Sequence, residues 1–387
     1  MKRCLVLATA LLSSAAPAAA QQTPADVLSF LVTNQSVATG DFEKDRSAAA
    51  ATRDTIARAL LVSLATVPIA TSSSGFVYRL DPELGTVRRV SDSFGAFFVE
   101  RALTSGRGRV SFGASGTTSG YDRLDGLHLR DGTLITTANQ FRDEPAPFDT
   151  EALTLRIRTS TFTVFGAYGV TDRLEIGGAL PLVQLQLEGS RLNVYRGQSF
   201  VQARGRAEAS GVADAAVRAK YLVASEPGRA FAVAGELRLP TGDPAQLLGA
   251  GRAGLRVMAV GSLDSARTGF HGNAGIARGG VTDEISGSGA LTFAATPRLT
   301  LSGELLVRRL LDLREVVPAS APHPSSAGVS TYRLVPGTSM PTLSSVVTGV
   351  KWNARATMVI TGQVLWRLGS GGLTAPFAPT IAIDYLF

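Results

Sequence analysis

Cysteine is almost absent. The chain of 387 residues has one, Cys4, and it lies within the first twenty residues. If that stretch is a leader, the remainder has no disulfide, no thiol chemistry and no cysteine-based metal site. Histidine is nearly as scarce. His128, His271 and His323 are the only three, none is paired at metal-ligand spacing, and no HExxH occurs. Charged residues are sparse at 18%. Long apolar runs are missing too: beyond the first twenty residues no stretch of ~18 uncharged apolar residues exists, so no membrane-spanning helix is expected.

What is present begins with that leader. Lys2 and Arg3 precede the apolar stretch Cys4 to Leu12, and Ala18-Ala19-Ala20 precedes Gln21. A short positive region, a short apolar core and a small-residue site describe a secretory signal peptide over residues 1–20. Its removal lowers the net charge from +7 to +5. Neither export nor a charge of that size suggests a nucleic-acid partner.

Residues 21–105 are mixed in pattern. Ala25 to Thr33 reads as a short helix. Ser47 to Val67 reads as a longer one, with Ile56, Leu60 and Val67 at helical spacing and Pro68 as its stop. Phe76 to Leu80 and Thr86 to Val90 read as short strands about a turn at Asp81-Pro82-Glu83-Leu84-Gly85.

From Gly106 the chain changes character. Long segments alternate in polarity. In 298–309, Leu299, Leu301, Leu305 and Val307 share one parity; Thr300, Ser302, Glu304 and Arg308 share the other. In 357–367, Met358, Ile360, Val364 and Trp366 oppose Thr361, Gln363 and Arg367. Segments 211–221 and 229–239 repeat the pattern. A period of two with one apolar face is strand logic. Such strands could build a water-soluble sandwich or a lipid-embedded barrel. Export, strand length and the C-terminus favour the barrel. Ile381, Ile383, Tyr385 and Phe387 alternate back from the last residue. That ending resembles the C-terminal insertion signal of bacterial outer-membrane proteins, read by the barrel-assembly machinery.

Twelve segments are counted: 107–120, 151–169, 173–189, 211–225, 229–240, 252–264, 267–280, 284–296, 298–314, 342–353, 355–368 and 375–387. An even number brings both ends of a single-chain barrel to one side. Closure is required because lipid offers no partner to a free strand edge. The expected fold is therefore all-β: an antiparallel up-and-down transmembrane β-barrel of about twelve strands over 106–387, with a partly helical N-terminal segment. Stretches 121–150, 189–210 and 315–341 read as long polar loops. In 151–169, Leu153, Leu155 and Ile157 are odd while Phe162 and Val164 are even, which predicts a bulge near Thr159–Thr161.

Gly211-Val212-Ala213-Asp214, Lys220-Tyr221, Leu239-Pro240-Thr241-Gly242-Asp243 and Leu247-Leu248-Gly249-Ala250-Gly251 form a pattern. It resembles that of the outer-membrane family named after the meta-pathway of phenol degradation. The match covers about 211–265 and fades toward the C-terminus. The resemblance implies a transporter-like barrel related in shape to fatty-acid and toluene channels. From the residues alone, Pro240 ends a strand and Thr241-Gly242-Asp243 is loop chemistry.

Catalytic signals are weak. Gly249 to Gly254 fits G-x-G-x-x-G, but a strand rather than a helix follows, so loop glycines are the ordinary reading and no cofactor is expected. His271 lies near Ser262, yet no G-x-S-x-G occurs, and no enzyme activity is expected. The lumen-facing candidates are Arg156, Arg158, Glu175, Asp214, Arg218, Lys220, Glu236, Arg238, Glu304, Arg308, Lys351 and Arg367. A net-positive lumen would favour anions. Alternatively the charges pair across strands and fill the interior, and that reading is favoured.

Residues 21–105 then either plug the barrel or hang in the periplasm. The expected function is passive passage of small molecules, hydrophobic or aromatic ones included, across the outer membrane of a Gram-negative-type bacterium. The alternatives are a non-conducting structural or adhesin-like barrel and, third, a barrel-borne hydrolase. Expected partners are outer-membrane lipid, the assembly machinery and a small solute.

Overall fold

The computed structural model describes residues 22–32, 53–63, 78–81, 86–89, 93–132, 134–139, 149–195, 198–322, 330–355 and 357–387. Residues 1–20, expected from the sequence to be a leader, the flanks of the second helix, the turn expected at 82–85 and His323 lie outside the described residues.

Twelve strands form a closed antiparallel wall. They are β1 Val110–Tyr121, β2 Asp149–Gly169, β3 Leu174–Tyr195, β4 Ala216–Glu226, β5 Arg229–Arg238 and β6 Gly254–Asp264, followed by β7 Thr268–Gly279, β8 Glu284–Thr296, β9 Leu299–Leu310, β10 Thr342–Arg355, β11 Met358–Leu368 and β12 Phe377–Leu386. Each pairs with its neighbour in sequence, and β12 closes on β1 with Ile381 opposite Gly116 and Tyr385 opposite Phe112. Closure leaves no edge through the apolar zone. One end of the wall carries short turns, at 170–173, 227–228, 265–267 and 297–298. The other carries longer connections, at 122–148, 239–253, 311–341 and 369–376. We call these the turn end and the loop end.

The alternation is explained by the two faces. Large apolar side chains such as Phe112, Leu255, Ile276, Leu305, Trp352 and Trp366 point outward and are exposed. Ile381, at 68% exposure, would be a liability in water and belongs against hydrocarbon. Thr300, Ser302, Glu304, Lys351, Thr361 and Gln363 point inward and are buried. The C-terminal residues Ile381, Ile383, Tyr385 and Phe387 all lie on the outer face.

The wall is uneven in height. β2 and β3 run to 21 and 22 residues, while β5 has only 10. A further strand, Gln198–Val212, pairs with the upper part of β3, from Tyr195 opposite Gln198 to Leu182 opposite Val212. β4 pairs with the lower part, from Ala216 opposite Ala179 to Tyr221 opposite Leu174. The two are one descending strand broken at 213–215. Another short strand, Leu134–Asn139, flanks upper β2. The sequence predicts polar loops at 189–210 and 315–341. The first instead contains most of that added strand, and the second holds a hairpin, Val316–Pro322 with Ser330–Pro336.

The bulge expected near Thr159–Thr161 is absent. β2 pairs with β3 without a register shift from Thr150 to Gly169. Odd residues face inward throughout, from Leu153, Leu155 and Ile157 to Thr163, Phe165 and Ala167. What changes along the strand is the surroundings. Phe162 and Val164 face out in the apolar band; Arg156 and Arg158 face out above it, in water. Inside, the upper lumen is apolar, so Leu153, Leu155 and Ile157 turn in. β3 switches the same way: Leu180 and Leu182 are exposed low on the strand, Gln184 faces out above them, and Val183, Leu185 and Leu187 are buried inside.

Among the described residues, two helices precede the wall. α1 is Pro24–Val32, and α2 covers 53–63. α1 opens with a reciprocal cap. The Asp26 amide donates to Thr23 Oγ1 at 3.0 Å, and the Thr23 amide donates to Asp26 Oδ2 at 3.1 Å, with Pro24 at the first helical position. The Thr23 hydroxyl, which donates to Asp26 Oδ2 at 2.7 Å, and the Thr23 amide together hold the Asp26 carboxyl below its ordinary range. Both helices put their apolar faces into the loop end of the barrel. Tyr78–Asp81 and Thr86–Arg89 pair as the short strands the sequence suggested.

Candidate lumen site

The lower lumen is crossed by residues 93–105 in irregular, extended chain. Such a segment has no ladder to satisfy its backbone, so the wall must supply partners. It does so with side chains. The Glu304 carboxylate accepts three successive amides, from Phe97, Phe98 and Val99, at 2.7, 2.8 and 2.9 Å. Thr300 Oγ1 accepts from Phe94, and Ser262 Oγ accepts from Ala102 at 2.9 Å. Glu175 accepts both the amide and the hydroxyl of Ser105, at 2.7 and 2.6 Å. On the cationic side, Lys351 donates to the Ala96 carbonyl and sits 5.8 Å from the centre of the Phe97 ring. Lys220 donates to the carbonyls of Arg101 and Leu103, both at 3.1 Å.

The segment contributes charge of its own. Glu100 pairs with Arg218 and Lys220, each at 3.0 Å, and Lys220 also reaches Glu175 at 3.3 Å. Arg101 pairs with Asp264 at 2.7 Å. From Arg218 a belt of alternating sign continues round the wall through Glu236, Arg256, Glu284 and Arg308. The registers set this up, since Arg218 lies opposite Glu236 and Glu236 opposite Arg256.

The upper lumen is filled differently. Val27, Leu28 and Leu31 of α1 and Ile56, Ala59 and Leu60 of α2 join one apolar cluster with Leu153, Leu155, Ile157, Leu185 and Leu187 of the tall wall. Ala203, Gly205 and Ala207 give α1 a smooth bed. A Cβ on Gly205 would sit 2.7 Å from Val27 Cγ1, and one on Gly189 would collide with Leu31. Asp125 ties the loops over this region. Its carboxylate accepts from the amides of Gly372 at 2.6 Å and Val316 at 2.8 Å. Burial raises the Asp125 carboxyl above its ordinary range, against the pull of those two donors.

Between α2 and the 93–105 segment lies a cavity of about 100 Å³. Ser63 of α2 and Phe98 of the crossing segment face it, with Leu306, Leu343, Leu365 and Arg367 from the wall.

Nine of the twelve sequence candidates meet in the lumen: Glu175, Arg218, Lys220, Glu236, Arg238, Glu304, Arg308, Lys351 and Arg367. Arg156 and Arg158 do not. They are exposed on the outer face of upper β2, because the strand there has left the apolar band. Asp214 is buried at the rim, in the break between Gln198–Val212 and β4. Its carboxylate accepts from the amides of Gly242 at 3.1 Å and Ala250 at 2.8 Å. Thr241 Oγ1 bonds Ala213 and Ala215 at the same break. Gly242 packs so closely that a Cβ would lie 2.5 Å from the Leu248 carbonyl oxygen. The separate pieces of the sequence pattern, 211–214, 239–243 and 247–251, thus form one clasp.

Glu100, Arg101, Arg256, Asp264 and Glu284 were not among the candidates. Arg256 had a signal, since it opposes Leu255 and Val257 in an alternating run. Glu100 and Arg101 had none, because an irregular segment has no parity. Ser262 and His271, opposite each other on β6 and β7, do meet, at 3.0 Å through His271 Nδ1. The pair is buried inside the lumen rather than on the outer wall, and Ser262 also holds Ala102.

No family model matches the chain, and no curated protein does. Solved structures of similar shape exist at low identity. An outer-membrane channel from Pseudomonas putida F1 is 13% identical, with 74% of this chain and 98% of that one covered and a TM-score of 0.44. The NanC porin is 7% identical, covering 70% and 98%, with a TM-score of 0.38. The P. putida toluene transporter TodX is 10% identical, covering 72% and 88%, with a TM-score of 0.33.

Proposed function

We propose that this chain is a plugged outer-membrane channel for passive passage of small molecules, hydrophobic and aromatic ones among them. The observation that carries the reading is the way residues 93–105 occupy the lumen. They are held by side-chain contacts and by no strand pairing within the barrel wall, so they can leave without breaking the barrel. On this reading residues 1–20 are a leader, 21–105 are the plug and 106–387 are the channel wall. The outward C-terminal residues serve recognition by the assembly machinery, and the clasp at Asp214 supports kinship with the meta-pathway family. No catalytic step is part of the proposal.

The test is conductance of the refolded mature chain in planar bilayers, beside a form lacking residues 21–105. Larger or more frequent steps after deletion are expected. The filled lumen also supports a second reading, a non-conducting barrel with a structural or adhesive role. Silence of both folded forms would replace the channel reading with that one.

A further inference from the structure

The cavity between α2 and the crossing segment is apolar on most sides and has one cationic group that stands out. Arg308, on its wall, is matched by Glu284. Arg367 is not matched in that way. Among the described residues its guanidinium donates to backbone carbonyls, of Gly371 at 3.3 Å and Leu373 at 3.2 Å. Its Nε is buried without a partner among the described residues, and so is Ser63 Oγ across the cavity. A guanidinium set against Leu306, Leu343 and Leu365 has lost much of its hydration, and the nearby Asp125 carboxylate accepts from the amides of Gly372 and Val316 rather than from the guanidinium. Burial of such a group is costly until an anion joins it. Guanidinium geometry suits a carboxylate, which can accept two parallel N–H donors.

We propose that this cavity binds a small monocarboxylate, its carboxylate on Arg367 and Ser63 and its apolar body against Phe98 and the three leucines. The volume sets the size. An apolar cavity of about 150 Å³ takes benzene, so about 100 Å³ takes a short chain or a single ring with slight yielding of Phe98. Phe98 belongs to the crossing segment and Ser63 to α2, so the occupant touches both parts of the filled lumen. The inference rests on the channel reading for its meaning as a transported class, but not for the binding itself.

The experiment is calorimetric titration of the full mature chain in lipid nanodiscs, with benzoate and its neutral counterpart benzamide. Saturable one-site binding of benzoate is expected, at least tenfold tighter than benzamide. Arg367→Gln should bring benzoate down to the benzamide level. Ala378→Leu, which fills the cavity from β12 and leaves Arg367 in place, should weaken both ligands at least tenfold. It serves as the second variant should Arg367→Gln fail to fold. Absence of saturable benzoate binding, parity of benzoate with benzamide, or benzoate binding untouched by either variant would overturn the proposal. Conductance separates this from the channel reading. Flux without saturable benzoate binding removes only the site; carboxylate binding by a barrel that never conducts removes only the channel.

Discussion

At the turn end of the lumen, a stretch of extended chain is held by carboxylates, hydroxyls and ammonium groups aimed at its backbone. At the loop end, two helices are held by leucine, isoleucine and alanine. The difference follows from the backbone. A helix satisfies its own N–H and C=O groups and can offer an apolar face. Residues 93–105 form no ladder, so a wall built like the upper lumen would strand their amides. The polarity of the inner wall therefore tracks the secondary structure of what fills it: Glu304, Thr300 and Ser262 below, Leu155, Leu185 and Leu187 above.

That contrast can be broken from either side. The largest effect is expected from Glu304→Ala, which removes one acceptor from three buried amides. A loss of about 3–5 kcal/mol in the docking of the segment is predicted, on the order of 1–3 kcal/mol for each amide left without an acceptor, read as lost hydrogen-exchange protection at Phe97, Phe98 and Val99. Unchanged protection would mean that the segment is held elsewhere. Next comes Leu31→Ala in α1, at about 2–4 kcal/mol. It should free α1 to proteolysis and leave protection at Phe97 intact, so that the two fillings of the lumen separate experimentally. Gly205→Leu attacks the same contact from the wall. It should displace α1 by filling its bed, with proteolysis rising toward that of Leu31→Ala and the urea midpoint of the barrel nearly unmoved. The smallest pair tests the upper edge of the apolar band. Phe162→Arg should cost about 1 kcal/mol in barrel unfolding from lipid vesicles, and Arg158→Ala about none. Equal costs would place the band edge elsewhere.

Much of the fold was legible in the sequence, for a specific reason. Between two unlike surroundings, a strand writes its two faces as alternating parities, and twelve such segments stood out. The inward set low in the wall was legible on the same grounds, Glu175, Lys220, Glu304 and Lys351 among them. Legibility ended where the surroundings changed along a strand. In β2 the outer side passes from lipid to water while the inner side passes from polar to apolar. Leu153 and Phe162 therefore look out of phase though the backbone is regular, and Arg156 looks like a lumen residue. It ended again at Gln198–Val212, whose outward Arg204, Arg206 and Glu208 and inward alanines resemble a polar loop. The partners of residues 93–105 were hidden because they lie far apart in the chain.

That distance has a consequence for the order of events during folding. Phe97 meets Glu304 across 207 residues, and Ala96 meets Lys351 across 255. Contacts of such separation form late, because the intervening chain must first be brought together. Glu175, Lys220, Ser262, Glu304 and Lys351 come from five strands, β3, β4, β6, β9 and β10, and converge only once the wall has closed. The segment made before the barrel strands is therefore the last to settle. Its docking reports a completed barrel, and a misregistered wall would leave it with nothing to hold.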